Sequence, residues 1–248
     1  MFLCLSKAGF AIKNDKKAKA VRINETVKID GQMEEVWAQA QPIADFVQHE
    51  PWQGKAASQK TEVRILYDDK AIYIFATMFD SAPDSILKQL GSRDETPNAD
   101  WLTLKFDTYN NFLDAYVFTV YSSGVQADYR ESDVSFNAVW ESRTEISENG
   151  WMVEMKIPYS AFRFPKILIQ TWGLQIERNI RRTREQIVWS PIVKEAENEQ
   201  IYWGKLEGLE NINPPLRLSF TPYISAGIEH FPYDNPEVKN VSSSYSGG

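Results

Sequence analysis

Cysteine and histidine are nearly missing from this sequence. A single cysteine, Cys4, excludes an internal disulfide, a cysteine-rich zinc site and an iron–sulfur cluster. Two histidines, His49 and His230, stand far apart and give poor support to a histidine-rich metal centre or to Ser-His-Asp and Cys-His machinery. No run approaches the roughly 18–20 consecutive apolar residues of a membrane-spanning helix. The phosphate-binding glycine loop, the dinucleotide fingerprint, the zinc-protease helix, the nucleophile elbow and the EF-hand loop are all absent. There is no long basic run and the net charge is −7, so nucleic acid and anionic membrane surfaces are disfavoured as partners. No internal repeat of fixed period occurs.

What remains is an ordinary globular composition, 43% hydrophobic and 25% charged, and 248 residues are enough for one large β domain. Residues 1–20 are apolar at first but are interrupted by Lys7 and lack a basic start, so they read as a leader remnant, a misplaced start or a flexible tail. The lysine-rich run 13–19 reads as solvated linker, with order expected from Val21. Residues 34–37 suggest a short helical turn, with Asp30 as its cap. Residues 61–67 alternate Val63, Ile65 and Tyr67, and residues 71–79 are apolar on both faces, as in a hairpin whose second strand is central. Residues 80–98 form a polar loop with a helical turn near 85–90.

Further strands are expected at 101–107, 115–121, 139–146, 151–157, 172–180, 187–189 and 202–206, and Asn149-Gly150 between two alternating runs is a strong hairpin signal. Short strands with almost no helical period predict an all-β fold, a sandwich or jelly roll of antiparallel strands with short helical turns. After Leu209 the character changes: Asn213-Pro214-Pro215 reads as a linker, 216–228 as the first strand of something else, and the Ser/Gly-rich end as a disordered tail.

Catalysis is hard to place. A glycoside hydrolase needs only two carboxylates, and with 34 acids a pair can always be drawn. The aromatics say more. Eight tryptophans are spread over the β region, where most serve a core, but Trp101 lies on the polar parity with Thr103, Lys105 and Asp107, and Trp52 lies in a loop. Arg178 falls on the apolar parity of its strand, where a charge needs a carboxylate partner, a cavity or a ligand. Arg181, Arg182 and Arg184 follow it as a local basic patch. The loop acids Asp68, Asp69, Asp80, Asp84, Asp94, Glu95 and Asp100 suit either solvated turns or a structural calcium site.

Lys28-Ile29-Asp30-Gly31 followed by Glu35-Val36-Trp37 resembles the opening of family 9 carbohydrate-binding modules and their DOMON-like relatives. Other segments resemble the amino-terminal module of the DUF5916 proteins of Bacteroidetes and related bacteria. These are Arg93-Asp94, Phe106-Asp107-Thr108, Gly124 to Asp128, Val139-Trp140-Glu141, Gly150-Trp151 with Glu154, Phe162-Arg163-Phe164, Trp172-Gly173 and Arg178-Asn179-Ile180. The resemblance implies a jelly-roll-like β-sandwich over 21–210, exported from the cytoplasm. It further implies that 211–248 are a linker and the start of an outer-membrane β-barrel, the partner of the sandwich in a longer protein.

The family 9 modules bind sugar chain ends between aromatic side chains and carry structural calcium, although Thr103 stands here where a ligand-contacting acid is expected. The implied function is non-catalytic carbohydrate binding. Trp101, Trp140 and Trp189 would stack on a ring, and Arg178 and Arg181 would hold hydroxyls or an acidic sugar. The alternatives are a module that docks on its own barrel or on a partner, a glycoside hydrolase, and a haem-binding domain.

Overall fold

The computed structural model describes residues 15–216, 221–224, 226–228 and 245–247. The chain divides after Pro215 into two units. The first is built from β1 (Lys17–Lys19), β2 (Val21–Arg22), β3 (Val47–Glu50), β4 (Thr61–Tyr67), β5 (Ala71–Phe79), β6 (Trp101–Asp107) and β7 (Tyr116–Tyr121). It continues with β8 (Gln126–Arg130), β9 (Glu141–Ser147), β10 (Gly150–Pro158), β11 (Ile169–Ile180), β12 (Glu185–Val188) and β13 (Gly204–Glu210). Of the second unit, β14 (Ala226–Ile228) pairs antiparallel with β15 (Tyr245–Gly247). The remainder of the expected barrel segment, like residues 1–14 of the expected leader, lies outside the described residues.

Two sheets make the expected sandwich. The larger runs β1-β13-β11-β6-β7-β8, and β12 and then β3 extend it beside the far half of β11. The smaller runs β2-β4-β5-β10-β9. Among the described residues only β1 on β13 and β2 on β4 pair in parallel; the other pairs are antiparallel, as expected. Between the sheets, alternate residues of each strand meet: Leu102, Leu104 and Phe106, with Trp172, Leu174 and Ile176, face Ile74, Ala76 and Met78, with Trp151, Val153 and Met155. Phe162 closes the cluster with ring centroids 5.3 Å from Trp172, 5.5 Å from Phe118 and 5.6 Å from Phe106.

Order begins earlier than the lysine-rich composition suggests. Residues 17–20 alternate exposed Lys17 and Lys19 with buried Ala18 and Ala20, which is the two-residue period of an edge strand, and lysines commonly guard such edges. The chain then crosses from the larger sheet to the smaller within two residues. The strands β3 and β8 are short and polar, and no hydrophobic alternation announces them. The helical turn of the 80–98 loop sits at Pro83–Ser85, where Pro occupies a first-turn position, rather than at 85–90.

The apolar run of β5 is explained by a second core. Ile72, Ile74 and Ala76 face the larger sheet, while Ala71, Tyr73 and Phe75 face residues 23–40, which pack on the smaller sheet's outer face. Trp37, on the short 3-10 helix Glu35–Gln39, lies 5.4 Å from Phe75 between ring centroids. Asp30 does not cap that helix; its carboxylate accepts from Gln32 N and closes the preceding turn. The cap position is Glu34, whose side chain makes no capping bond.

A buried carboxylate holds this layer down. Glu154 of β10 accepts from Asp30 N and Gly31 N at 2.7 Å through Oε2, and from Trp37 Nε1 at 3.0 Å through Oε1. Gly31 has φ of 87°, the left-handed turn that brings both amides to one oxygen. Burial pushes the Glu154 carboxyl up, and the three donated bonds oppose that rise. In the β9–β10 hairpin, Gly150 is the first residue of the second strand, and a Cβ there would meet the Met78 carbonyl at 2.1 Å.

Glu154→Gln replaces one of the two accepting oxygens by an NH2 group that must face at least one of the donors, so it is expected to lower unfolding stability in urea by about 2 kcal/mol at neutral pH. A raised folded pKa means that the carboxyl's contribution is complete below about pH 4.3 and falls away as pH rises through the folded value. The gap between wild type and variant should therefore widen in mild acid; an unchanged gap would count against this assignment.

Candidate functional site

The five expected ligand contacts do not come together. Trp140, just before β9, is buried: its Nε1 donates to Asp128 Oδ1 at 2.9 Å and its ring lies 5.4 Å from Phe118. Asp128 also accepts from Ala138 N at 2.7 Å and from the Arg93 guanidinium, so the tryptophan belongs to a buried polar knot. Trp189 is buried too, and its ring rests on Gly204, where a Cβ would approach ring carbons to 2.4 Å.

Arg178 points into the sandwich and is fully buried. It donates to Lys60 O at 3.0 Å, Thr61 Oγ1 at 3.1 Å and Phe79 O at 2.9 Å, and Asp80 lies 3.9 Å away. Burial pulls its pKa down to about 10, against the pull of Asp100 and Asp80, so it stays charged at neutral pH. Of the alternatives that its apolar parity left open, the structure chooses internal partners. Those three side chains are therefore structural; Trp101 and Arg181 are left at the surface.

Trp101 opens β6 on the outer face of the larger sheet, part-exposed, packed beside Ala99, Tyr121 and Val125. Arg181 is exposed directly after β11; its backbone N donates to Asp100 Oδ1 at 3.0 Å and its Nε to Asn98 Oδ1 at 3.0 Å. Asp100, buried and next to Trp101, has its pKa raised by that burial. The register of β6 against β11 sets Trp101 opposite Asn179 and Thr103 opposite Glu177. On the same face Lys105 pairs with Glu177 at 2.7 Å, and Gln186 Nε2 donates to Glu177 Oε2 at 3.3 Å. Burial disfavours the Lys105 ammonium, but the Glu177 carboxylate outweighs it and holds the pKa above the usual lysine value. Asn179 Oδ1 is buried and accepts no hydrogen bond among the described residues.

An aromatic ring thus stands beside an amide, an ion pair and a second amide, all on one sheet face. Lys105 lies on the polar parity of its strand and Asn179 lies in a resembling segment, whereas no motif in the sequence marks Glu177 or Gln186 as candidates. Outward parity on β11, one residue either side of Arg178, was the signal that could have found Glu177 and Asn179.

The loop acids do not converge on a calcium cage. Asp68 closes the β4–β5 turn by accepting from Lys70 N and Ala71 N, Asp69 pairs with Arg22, and Asp80 takes Arg182 at 2.6 Å. Among the described residues no three His, Cys, Asp or Glu side chains are grouped to hold a metal ion. No helix among them is long and apolar enough to cross a membrane.

The two sheets and their order define a largely antiparallel β-sandwich. Residues 29–207 match the carbohydrate family 9 binding domain-like model, and the chain belongs to that family. A family 9 carbohydrate-binding module from Caldicellulosiruptor kristjanssonii, solved with cellotriose, is similar over 84% of this chain and 100% of its own, at 17% identity and TM-score 0.57. A family 9 module from that organism solved with glucose is similar over 80% of this chain and 100% of its own, at 18% identity and TM-score 0.57. A putative carbohydrate-binding protein from Bacteroides uniformis is similar over 79% of this chain and 99% of its own, at 11% identity and TM-score 0.59. At such identities the likeness is one of fold. No curated protein matches the chain.

Arg178→Met strips Asp80 of a buried neighbour and leaves three acceptors without their donor, so a loss of about 3–5 kcal/mol in denaturant unfolding is expected. Arg178→Lys should recover only part of it, because one ammonium cannot reproduce the guanidinium fork. Wild-type stability in both variants would show that the arginine does not join the sheets.

Proposed function

We propose that the chain binds carbohydrate, without cleaving it, on the outer face of the larger sheet around Trp101. The single observation that carries this reading is the β6–β11 register, which sets Trp101 beside Asn179 and within the same face as the Lys105–Glu177–Gln186 network. A sugar ring has C–H faces that pack on a flat aromatic and hydroxyls that pair with planar polar side chains, the combination that ligand sites generally use. Arg181, exposed at the same end, would add a donor for a hydroxyl or an acidic sugar. Family membership supports the substrate class, and the glucose and cellotriose in the two Caldicellulosiruptor structures are natural first ligands to try.

The finer placement among DUF5916 proteins, outside the cytoplasm and next to an outer-membrane barrel, belongs to the same proposal and rests on the order of the resembling segments. A docking module is the second reading. Its support is an exposed apolar run at Ile167, Leu168 and Ile169, with Leu168 74% accessible.

Calorimetric titration of the protein against glucose, cellotriose and a wider glycan panel tests the first reading. Binding by at least one glycan is expected, with Trp101→Ala weakening it more than tenfold in a variant shown by circular dichroism to remain folded, and with no reducing ends released. Binding by none of the panel, or binding indifferent to Trp101→Ala, would sink it.

A further inference from the structure

Seven of the eight tryptophans are buried or part-buried, whereas Trp52, in the loop after β3, is 60% exposed. One exposed aromatic is ordinary on a protein surface. What distinguishes this one is the order of its loop and its place on the sheet. Gly54 N donates to Gln48 O and Gln48 N to Lys55 O, both at 2.8 Å, and Lys55 N donates to Trp52 O at 3.1 Å. Gln53 Nε2 adds a bond to the Ile192 carbonyl at 2.6 Å, and the Lys55 ammonium stands over one face of the Trp52 ring, 4.5 Å from its centroid. An aromatic on a loop bonded in this way is ordered before any ligand arrives, so little ordering cost falls on binding.

The strand pairings set this loop in line with Trp101. Trp101 of β6 is paired with Asn179 of β11, Asn179 with Gln186 of β12, and Gln186 with Glu50, the last residue of β3. Residues directly paired across strands share a sheet face, so these four form one row on the outer face of the larger sheet. The strand β3 runs in the same direction as β11, toward the end of the sheet where Trp101 stands, and delivers Trp52 at that end.

Asn179, Gln186 and Glu50 are each part-exposed, and Glu50 pairs with Lys194 at 2.7 Å. Two aromatics are thus separated by two amides and an ion pair, a sequence of flat apolar and planar polar groups that complements a run of sugar rings and hydroxyls. Neighbouring strands lie about 4.8 Å apart, so β6 and β3 are about 14 Å apart, well beyond one sugar ring and within the length of a tri- or tetrasaccharide. A β-1,4-linked chain is straight enough to reach both.

We propose that Trp52 is a second sugar platform, and that the protein binds a β-1,4-linked glycan chain laid across the strands, with one sugar on Trp101 and another, two or three residues along, on Trp52. The inference rests on the reading of the Trp101 face as a carbohydrate site. The intervening sugars meet Asn179, Gln186 and the Glu50–Lys194 pair.

The test is a calorimetric titration of the whole chain with glucose, cellobiose, cellotriose and cellotetraose. Affinity is expected to rise about tenfold between cellobiose and cellotetraose as the chain reaches the second platform. Trp52→Ala should abolish that rise and leave glucose affinity at the wild-type value, Trp52→Phe should restore most of it, and Trp101→Ala should weaken every member of the series. If Trp52→Ala does not fold, Trp52→Phe assigns the Trp52 indole N–H resonance, which in the wild type should move with cellotetraose and stay still with glucose. Equal affinity along the series, cellotetraose binding indifferent to Trp52→Ala, or an indole signal unmoved by cellotetraose would overturn the proposal and leave the Trp101 reading standing. Binding by none of the four sugars would overturn it as well, and the wider glycan panel then decides the Trp101 reading separately.

Discussion

A guanidinium buried between two sheets fixes the relation of one to the other. Arg178 leaves β11 of the larger sheet and donates to the Lys60 and Phe79 carbonyls, at the adjoining ends of β4 and β5 in the smaller sheet. Packing among Trp172, Phe162 and Phe106 is tolerant of small shifts, because apolar surfaces attract without direction. Three directed bonds from one planar group are far less tolerant. An uncompensated charge there would be costly, so the strand ends, Thr61 and Asp80 must arrive together. Asp80 in turn is shared with Arg182, which draws the chain after β11 onto the same corner.

The same device recurs at several of the segments that resemble known families. Glu154 gathers the Asp30-Gly31 turn and Trp37; Asp128 gathers Arg93, Ala138 and Trp140; Asp107 accepts from Tyr109 N and Phe112 N and folds the loop after β6. Glu154 draws its donors from distant sequence, Asp128 from both near and distant, and Asp107 from the loop that directly follows it. The resembling segments are therefore chiefly architectural, and their presence speaks to fold more than to ligand. The outward positions of the larger sheet, Trp101 among them, carry the proposed ligand chemistry.

Much of this was readable beforehand. Alternation in 61–67 and 101–107, the doubly apolar 71–79 run and the Asn149-Gly150 hairpin all translate directly into strands, since they reflect a backbone whose side chains alternate every residue. Reading failed where polarity hid the period. Lys17 to Ala20 looked like linker because lysine dominates it, yet its alanines are buried against the sandwich. The strands β3 and β8 are stabilised by their neighbours rather than by their own composition. Among the site candidates, Trp140 and Trp189 could not be told from surface aromatics, because a tryptophan next to a strand has no local mark of the layer it will enter.

The sequence by itself determined the class of fold, the scarcity of catalytic and metal-binding groups, and the peculiarity of Arg178: these depend on composition and on near-neighbour periodicity. Tertiary structure alone decided which strands lie side by side, which carboxylates meet which donors, and that Trp101 stands opposite Asn179. Those outcomes hang on pairings across tens of residues, and a one-residue change of register would turn every side chain of a strand to the other face.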